Sequence, residues 1–513
     1  MSRSSLDIKI HKKNSEVYGV VGICGVVGNL IARMLMDKKC NVIGTDINKM
    51  HDCTYIYTLN DYDFPKFFEK HPASFFKKSN YIVPPPSLNK NSELYKKIEQ
   101  HNVDILTVED CLDIFKPEKP VICITGTNGK TTTTMLLKHI CNNFGLIPTE
   151  HGFKDLQGNI DYIPPIQSRL SGDVAVLETG TFGNNGDLRL MVERCEPECG
   201  ILTNINPDHL EGAHDFLNYA KIKGEFVEYF KNKKLIINSD DPTILGLVKE
   251  NTDVITFGID INSDNYSYKE CWCGKQIEIN ETISGSGYYE CECGLKRVEP
   301  DYLATNIVES EGRFLLKTPE GTANIQMKLI GLHNVYNTMG AIVAAKEYFN
   351  IPLEYIVKAV ESFEGVPGRI EYLFAHEGMD VILDYGHNPA GIETVLRELK
   401  KVYETITVVI TVSSESGISG DFEIMDKILK IGDFIVPASH ASRNVAEKHI
   451  QHIKSGKIVL TETSNVKFEN GTVGASQDQV LEGIKTGLKC RSSALICLGE
   501  AAFKYKEDIL LDK

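Results

Sequence analysis

Apolar and polar positions come in a repeating order along the chain. Short runs rich in Val and Ile precede longer stretches in which apolar residues return every three or four positions, the periods of a buried strand and an amphipathic helix. Residues 17–46 give the first example: strand VYGVVG, a glycine turn, helix NLIARMLMDKK, and strand NVIGTD ending at Asp46. Shorter βα units follow at 80–87 and 103–115. Lys116-Pro-Glu-Lys-Pro120 reads as a linker, because two prolines among alternating charges do not suit a core. A second series opens at Val121 with VICITGTNGKTTTTMLLKHICNNFG, and strands are predicted at 173–180, 199–205, 234–241 and 253–258. Residues 314–331 read as two antiparallel strands around a turn, and HNVYNTMGAIVAAKEYF as a helix. After Pro367-Gly368, strands are predicted at 380–384, 406–412, 432–437, 457–461 and 493–498, with helices between them. Strands interleaved with helices predict α/β domains with mostly parallel sheets.

Length agrees with three such domains: 513 residues against roughly 150 per domain. The expected division is 1–116, 117–366 and 367–513. Hydrophobic residues are 42% and charged residues 24%, which excludes a disordered or fibrous chain. The formal charge of −15 disfavours non-specific nucleic-acid binding. The opening MSRSSLDIKIHKKNSE has no apolar core for a signal peptide, and no apolar run nears the ~18 residues of a spanning helix. A cytoplasmic enzyme without membrane insertion is expected.

Of the 14 cysteines, ten are scattered, and Cys24, Cys40, Cys123 and Cys497 lie in apolar stretches. They read as small buried hydrophobes. The other four form two knuckles, Cys271-Trp-Cys273-Gly and Cys291-Glu-Cys293-Gly, inside an insertion at 268–297. Glycine lets each knuckle turn its amides toward the sulfurs. Four thiolates on a short hairpin suit structural zinc; disulfides, free thiols or another metal are the alternatives.

Two glycine-rich turns carry candidate chemistry. Gly126-Thr127-Asn128-Gly129-Lys130-Thr131-Thr132 lies between a predicted strand and helix. Loop amides and the helix start would cradle phosphates, Lys130 would reach the terminal phosphates, and the Thr131 hydroxyl would bind Mg²⁺. The loop is shorter than the common form, with Gly126 four positions before Lys130. It predicts a chain that binds and consumes a nucleoside triphosphate. The turn Gly22-x-x-Gly25-x-x-Gly28 does not have dinucleotide spacing, so a phosphate-bearing ligand is favoured over NAD. Asp46 would accept from a ribose or serve as an ordinary strand-end carboxylate.

The short loop resembles that of the Mur ligase superfamily, ATP-dependent enzymes that join an amine to a carboxylate. Further segments match in the family's order over about residues 120–390: Thr203-Asn-Ile-Asn-Pro-Asp-His209, Ala220-Lys-Ile-Lys223-Gly-Glu-Phe226, Gly331-Leu-His-Asn334-Val-Tyr-Asn337, Gly368-Arg369-Ile-Glu371 and Asp384-Tyr-Gly-His387-Asn388-Pro389. The resemblance implies a Rossmann-like N-terminal domain, a P-loop ATPase-like central domain carrying the four-cysteine insertion, and a Rossmann-like C-terminal domain. It also implies ATP with two Mg²⁺ sites and catalytic roles for Lys130, Glu178, His209, Lys223 and Arg369. Glu178 and His209 would bind Mg²⁺. Lys223 would be carbamylated and help hold the second Mg²⁺, with Lys221 the weaker candidate. Asn334 and Asn337 would face the adenine, Arg369 the γ-phosphate, and Asp384 the ribose, with His387 nearby.

The N-terminal glycine turn resembles the uridine-nucleotide-binding domain of the muramate–alanine and muramoylalanine–glutamate ligases. The whole chain resembles the archaeal pseudomurein peptide ligases, with an N-terminal domain of the muramate–alanine ligase type. The implied substrates are a UDP-linked glutamyl peptide and an amino acid, handled by a monomer. Two departures stand out. Residues 409–420 lack the basic residue of the family's amino-acid pocket, for which Ser439-His440-Ala-Ser-Arg443 is a candidate replacement. The cysteine insertion is the other. Within the same chemistry, the alternatives are a ligase or cyclase acting on a nickel tetrapyrrole carboxylate, or a glutamate-amidating ligase. A nucleotide-gated scaffold and an NAD-dependent oxidoreductase are the readings from other classes.

Overall fold

Val17–Val21 (β1) is a run of five in which all but the first residue are buried, as expected of a strand covered on both faces. It lies at the centre of a five-stranded parallel sheet with Asn41–Thr45 (β2), Lys66–Phe67 (β3), Tyr81–Val83 (β4) and Asp104–Ile105 (β5), in the order β3-β2-β1-β4-β5. The helix Val26–Asp37 follows the glycine turn. A Cβ at Gly28 would stand 2.2 Å from the carbonyl oxygen of Gly22, so this helix start touches the strand end only because the residue is glycine. Asp46 holds the turn: one oxygen accepts from the Cys24 amide at 2.8 Å and the other from the Asn48 amide at 2.9 Å.

The computed structural model describes residues 16–511 except 90, 154–155, 157, 160, 182, 207–215, 249–252, 262–263, 284, 330, 415–416 and 468–473. The chain divides into two compact units: Met1–Cys123 with Gly145–Gly180 and Arg189–Glu198, and Ile124–Phe144 with Thr181–Leu188 and Cys199–Lys513. In the first unit, Phe153, Ile163, Ile166 and Leu170 share one apolar core with Leu30, Ile31 and Leu35 of the helix beside β1. Arg33 reaches from that helix to the carbonyls of His151 and Glu150. Arg169 is 1% exposed and donates to the carbonyls of Pro165, Leu112 and Arg194 and to Glu196. Cys24 is not a free buried hydrophobe as the sequence suggests: the loop after β2 folds back over the glycine turn, and Cys24 and Cys53 are disulfide-bonded.

The division between units falls within Val121–Thr125 (β6). Ala175–Glu178 (β7) belongs to the first unit. In the second, Cys199–Leu202 (β8), Lys234–Asn238 (β9) and Val254–Ile259 (β10) form a parallel run. Tyr266–Glu270 (β11), Gln276–Ile283 (β12) and Ser286–Tyr289 (β13) make a small antiparallel sheet from the insertion. Tyr302–Val308 (β14) pairs parallel with β10 and antiparallel with Arg313–Thr318 (β15), which forms the expected hairpin with Gly321–Gln326 (β16). The helix Leu332–Glu347 is buried along most of its length.

The C-terminal sheet contains Glu371–His376 (β17), Met379–Asp384 (β18), Ile406–Ile410 (β19), Phe434–Pro437 (β20) and Ala494–Leu498 (β21) in the order β17-β18-β21-β19-β20. Only β17 runs antiparallel. The strand predicted at 457–461 is a single bridge, Ile435 to Ile458. Its partner ends in Pro437, which has no N–H to continue the ladder. Among the described residues no helix is long and apolar enough to cross a membrane.

Candidate active site

The loop after β6 is shaped by the segment after β8. The Thr127 amide donates to the Asn204 carbonyl at 2.9 Å, and the Asn128 amide to Asn204 Oδ1 at 2.9 Å. Thr203 Oγ1 and Asn204 Nδ2 both donate to the Asn128 carbonyl, at 2.7 and 2.9 Å. The Asn206 amide donates to Thr127 Oγ1 at 3.0 Å. Gly126 has φ +151°, and a Cβ there would stand 1.9 Å from Thr203 Oγ1. A loop braced in this way already holds its curvature, so little ordering remains to be done when a phosphate binds.

Lys130 starts the helix Lys130–Phe144 and folds back over the loop, donating to the carbonyls of Gly126 and Thr127 at 3.0 and 2.8 Å. Lys223, on the helix Phe216–Tyr229, is 2% exposed and donates to the Gly126 carbonyl at 3.2 Å. Lys221 on the same helix is exposed. Asn337 packs over Gly129, where a Cβ would meet its Oδ1 at 2.1 Å, and donates to Asn334 Oδ1 at 3.2 Å.

Residues just before β17 and just after β18 reach the same loop. Arg369 Nη2 donates to Thr131 Oγ1 at 3.4 Å, and its guanidinium lies 5.1 Å from the centre of the Tyr385 ring. Asn388 donates to Asn128 Oδ1 at 3.1 Å. It also caps the helix Pro389–Val402 by accepting from the Gly391 amide at 2.8 Å. Asp384 is 3% exposed, and its two oxygens accept from the amides of Ile370 and Gly386 at 2.9 and 2.7 Å. Burial pushes its carboxyl above the ordinary value, against the pull of Arg369 and those amides. His387 stands edge-on to the Tyr385 ring.

The structure therefore brings together Gly126–Thr132, Lys223, Asn334, Asn337, Arg369 and Asp384. Glu178 ends β7 in the other unit, 9% exposed, and accepts from Asn159 Nδ2 at 2.8 Å. His209 lies outside the described residues. Sequence reasoning missed the bracing done by Thr203, Asn204 and Asn388. The Asn-Pro pair at 388–389, a cap followed by a first-turn proline, was the available signal for the last. Arg443 donates to Ser464 Oγ at 3.1 Å, Glu447 at 2.9 Å and the Thr461 carbonyl. Its Nε and Nη1 donors are thus engaged within its own fold.

The cysteine knuckles face each other. The four sulfurs lie within 4.8 Å of one another, with Cys271–Cys293 and Cys273–Cys291 each at 3.7 Å. Four sulfurs at about 2.3 Å from a tetrahedral zinc would be about 3.8 Å apart, so the set fits that ion. The Leu295 amide holds the Cys293 thiol down at about 7, whereas burial pushes Cys271 up to about 12. The cluster is a set of four cysteines able to hold a metal ion.

Comparison with known proteins bears on the whole arrangement. Residues 124–345 match the family described as the Mur ligase middle domain. A UDP-N-acetylmuramate–L-alanine ligase of Aquifex aeolicus is 24% identical over 428 residues, covering 81% of this chain and 82% of that protein. The structure of a pseudomurein peptide ligase type C from Methanothermus fervidus superposes with a TM-score of 0.84 at 34% identity, covering 97% of this chain and 99% of that one. A UDP-N-acetylmuramate–alanine ligase structure from Thermotoga maritima, at 17% identity and a TM-score of 0.58 over 97% of this chain and 98% of that one, shares the fold. With relatedness at this level over nearly its entire length, the chain belongs to the Mur ligase superfamily and is an ATP-dependent ligase related to pseudomurein peptide ligase.

Proposed function

We propose that the chain adds an amino acid to a UDP-linked glutamyl peptide in the synthesis of pseudomurein precursors, forming a peptide or isopeptide bond through an acyl phosphate. The observation that carries this reading is the 34% identity with the Methanothermus ligase across 97% of the chain. The braced loop supports it, because its lysine and two glycines suit a triphosphate. Residues 1–116 would take the uridine-nucleotide acceptor, 117–366 the ATP, and 367–513 the amine. This division is by ligand. The protein would act as a cytoplasmic monomer on small molecules.

In this reading Gly126–Thr132 holds the ATP phosphates, with Lys130 drawn from the loop carbonyls onto the terminal phosphate. Thr131 and Glu178 would hold one Mg²⁺, and His209 and Lys223 the other. The Thr131 hydroxyl already lies within reach of Arg369, which supports a place for that guanidinium near the γ-phosphate. Lys223 rather than Lys221 suits carbamylation, because it is the one buried against the loop. Asn334 and Asn337 would face the adenine. Asp384 retains a free lone pair on each oxygen for a ribose hydroxyl, with His387 nearby.

The substrate carboxylate attacks the γ-phosphorus, ADP leaves, and the amine then displaces phosphate from the acyl phosphate. The magnesium ions, when bound, supply charge neutralisation on the phosphates. Lys130 and Arg369 would add to it as charge develops on the transferring oxygens. Zinc would be structural at Cys271, Cys273, Cys291 and Cys293, since four thiolates leave it no open position.

The test is phosphate release from ATP with UDP-linked glutamate and its short peptides against each amino acid, with mass spectrometry of products. Release that needs both partners and yields a product heavier by one residue supports the reading. No release with any uridine-linked acceptor, from protein that binds ATP and Mg²⁺, overturns the pathway.

A further inference from the structure

Two adjacent carboxylates, Asp240 and Asp241, follow β9, and both are fully buried. Burying two such charges side by side is very unfavourable unless each is matched and hydrogen-bonded. Both matching cations come from the cysteine insertion and its flank. Arg297 Nε donates to Asp240 Oδ1 at 2.7 Å, and Lys269 Nζ to Asp241 Oδ1 at 3.1 Å. Each cation is 8% exposed at the side chain.

Two of the remaining bonds are local: Asp240 Oδ2 accepts from the Ile259 amide at 2.8 Å, and Asp241 Oδ1 caps the helix Pro242–Leu247 by accepting from the Thr243 amide at 2.9 Å. The others run toward the nucleotide loop. Asp240 Oδ2 accepts from the Tyr336 hydroxyl at 2.8 Å. Tyr336 lies between Asn334 and Asn337 in sequence, and Asn337 packs over Gly129. Asp241 Oδ2 accepts from the Ile205 amide at 2.8 Å, while Lys269 also donates to the Ile205 carbonyl at 3.0 Å. Ile205 lies between Asn204 and Asn206, two residues that hold the loop at Thr127 and Asn128. The knuckle side is fastened to the same corner. Trp272 Nε1 donates to the Thr243 carbonyl at 3.0 Å, and the Tyr289 hydroxyl to the Ser239 carbonyl at 2.9 Å.

We propose that Lys269 and Arg297 are positioning residues for the ATP site, acting through Asp241 and Asp240 on the Ile205 segment and on Tyr336. The insertion is thereby a working part of the ligase and not a peripheral ornament. This inference rests on the nucleotide-site reading above.

The test uses the full-length, metal-replete chain and the variants Lys269→Met, Lys269→Arg, Arg297→Met and Tyr336→Phe. The last removes one hydroxyl and keeps the ring, so it reports even if a charge deletion prevents folding. Calorimetry gives the Kd for ADP with Mg²⁺, steady-state kinetics gives KM for ATP separately from KM for the amine, and thermal melting gives Tm. The expected result is a rise of about tenfold in the ADP Kd and the ATP KM for Lys269→Met, Arg297→Met and Tyr336→Phe. That is about 1.4 kcal/mol. The amine KM should stay within about twofold, and Lys269→Arg should recover most of the loss. A lowered Tm with unchanged ADP affinity, in variants of a chain whose native form binds ADP, overturns the positioning role and leaves the ligase reading standing. A native chain that binds no ADP overturns both.

Discussion

Gly126→Ala is the sharpest test of the braced loop. At φ +151° a residue with a Cβ adopts a backbone conformation that is nearly exclusive to glycine, at about 1–3 kcal/mol. The new methyl would also stand 1.9 Å from Thr203 Oγ1 and 3.2 Å from the backbone N and O of Asn204. Crowding of that kind costs about 1–3 kcal/mol once neighbours shift. The lower ends sum to about 2 kcal/mol, or roughly thirtyfold in affinity if the strain falls on the loop's bound shape. Calorimetric titration of ATP with Mg²⁺ reads it directly. Thr203→Ala should weaken binding less, since it removes one bond to the Asn128 carbonyl. The double variant should recover part of the Gly126→Ala loss, because the closest contact is gone while the backbone strain remains; a coupling of about 1 kcal/mol is expected. Affinity within about threefold of the native chain for Gly126→Ala would refute the reasoning, because the glycine would then be dispensable to the loop.

Arg169→Met should destabilise the first unit by at least about 1–3 kcal/mol, since three carbonyls lose a buried donor while Glu196 keeps Lys116; urea unfolding followed by limited proteolysis checks it. Burial and the Lys401 cation press the pKa of His333 from 6.5 down to about 4. As pH falls through that window the unfolded chain takes up a proton that the folded chain refuses, so stability is lost toward pH 4 and is unaffected above 6.5. Because part of the side chain reaches solvent, the loss is at most about 3 kcal/mol, and His333→Gln should flatten it in melts recorded across that range. Atomic emission should find one zinc per chain, and Cys271→Ser should lower both the zinc content and the Tm; full zinc retention would dismiss the cluster as its site.

The parts legible in the sequence were those set by short spacing. Gly126 to Thr132 and the two knuckles each declare themselves within a few residues, because one loop or turn needs them all. The strands were legible where apolar runs are covered on both faces, as at Val17–Val21 and Ala494–Leu498. What stayed hidden was pairing across long separations. Arg297 meets Asp240 from 57 positions away, and Cys24 meets Cys53 from 29. Nothing local distinguishes these residues from surface charges or buried thiols. The expected strand at 457–461 had the right composition, but its fate depended on a proline in its neighbour. Arg169 stands between Ser168 and Leu170 in a stretch that gives no hint that three carbonyls converge on it.

The shared core of the first unit bears on how the protein is made and how its parts are inherited. The five-stranded sheet is complete by Ile105, yet the core around its first helix is finished only when Phe153, Ile163, Ile166 and Leu170 are added. During synthesis that helix must wait, with Arg33 lacking its carbonyl acceptors, while the nucleotide loop at 126–132 is being made. A fragment ending at the proline linker would carry a complete sheet and a partly uncovered apolar helix, prone to stick to other chains. Exchange of that fragment between relatives would separate it from the segment that finishes it. Residues 17–115 and the stretch at 153–170 are therefore expected to change together, as one inherited block interrupted by another.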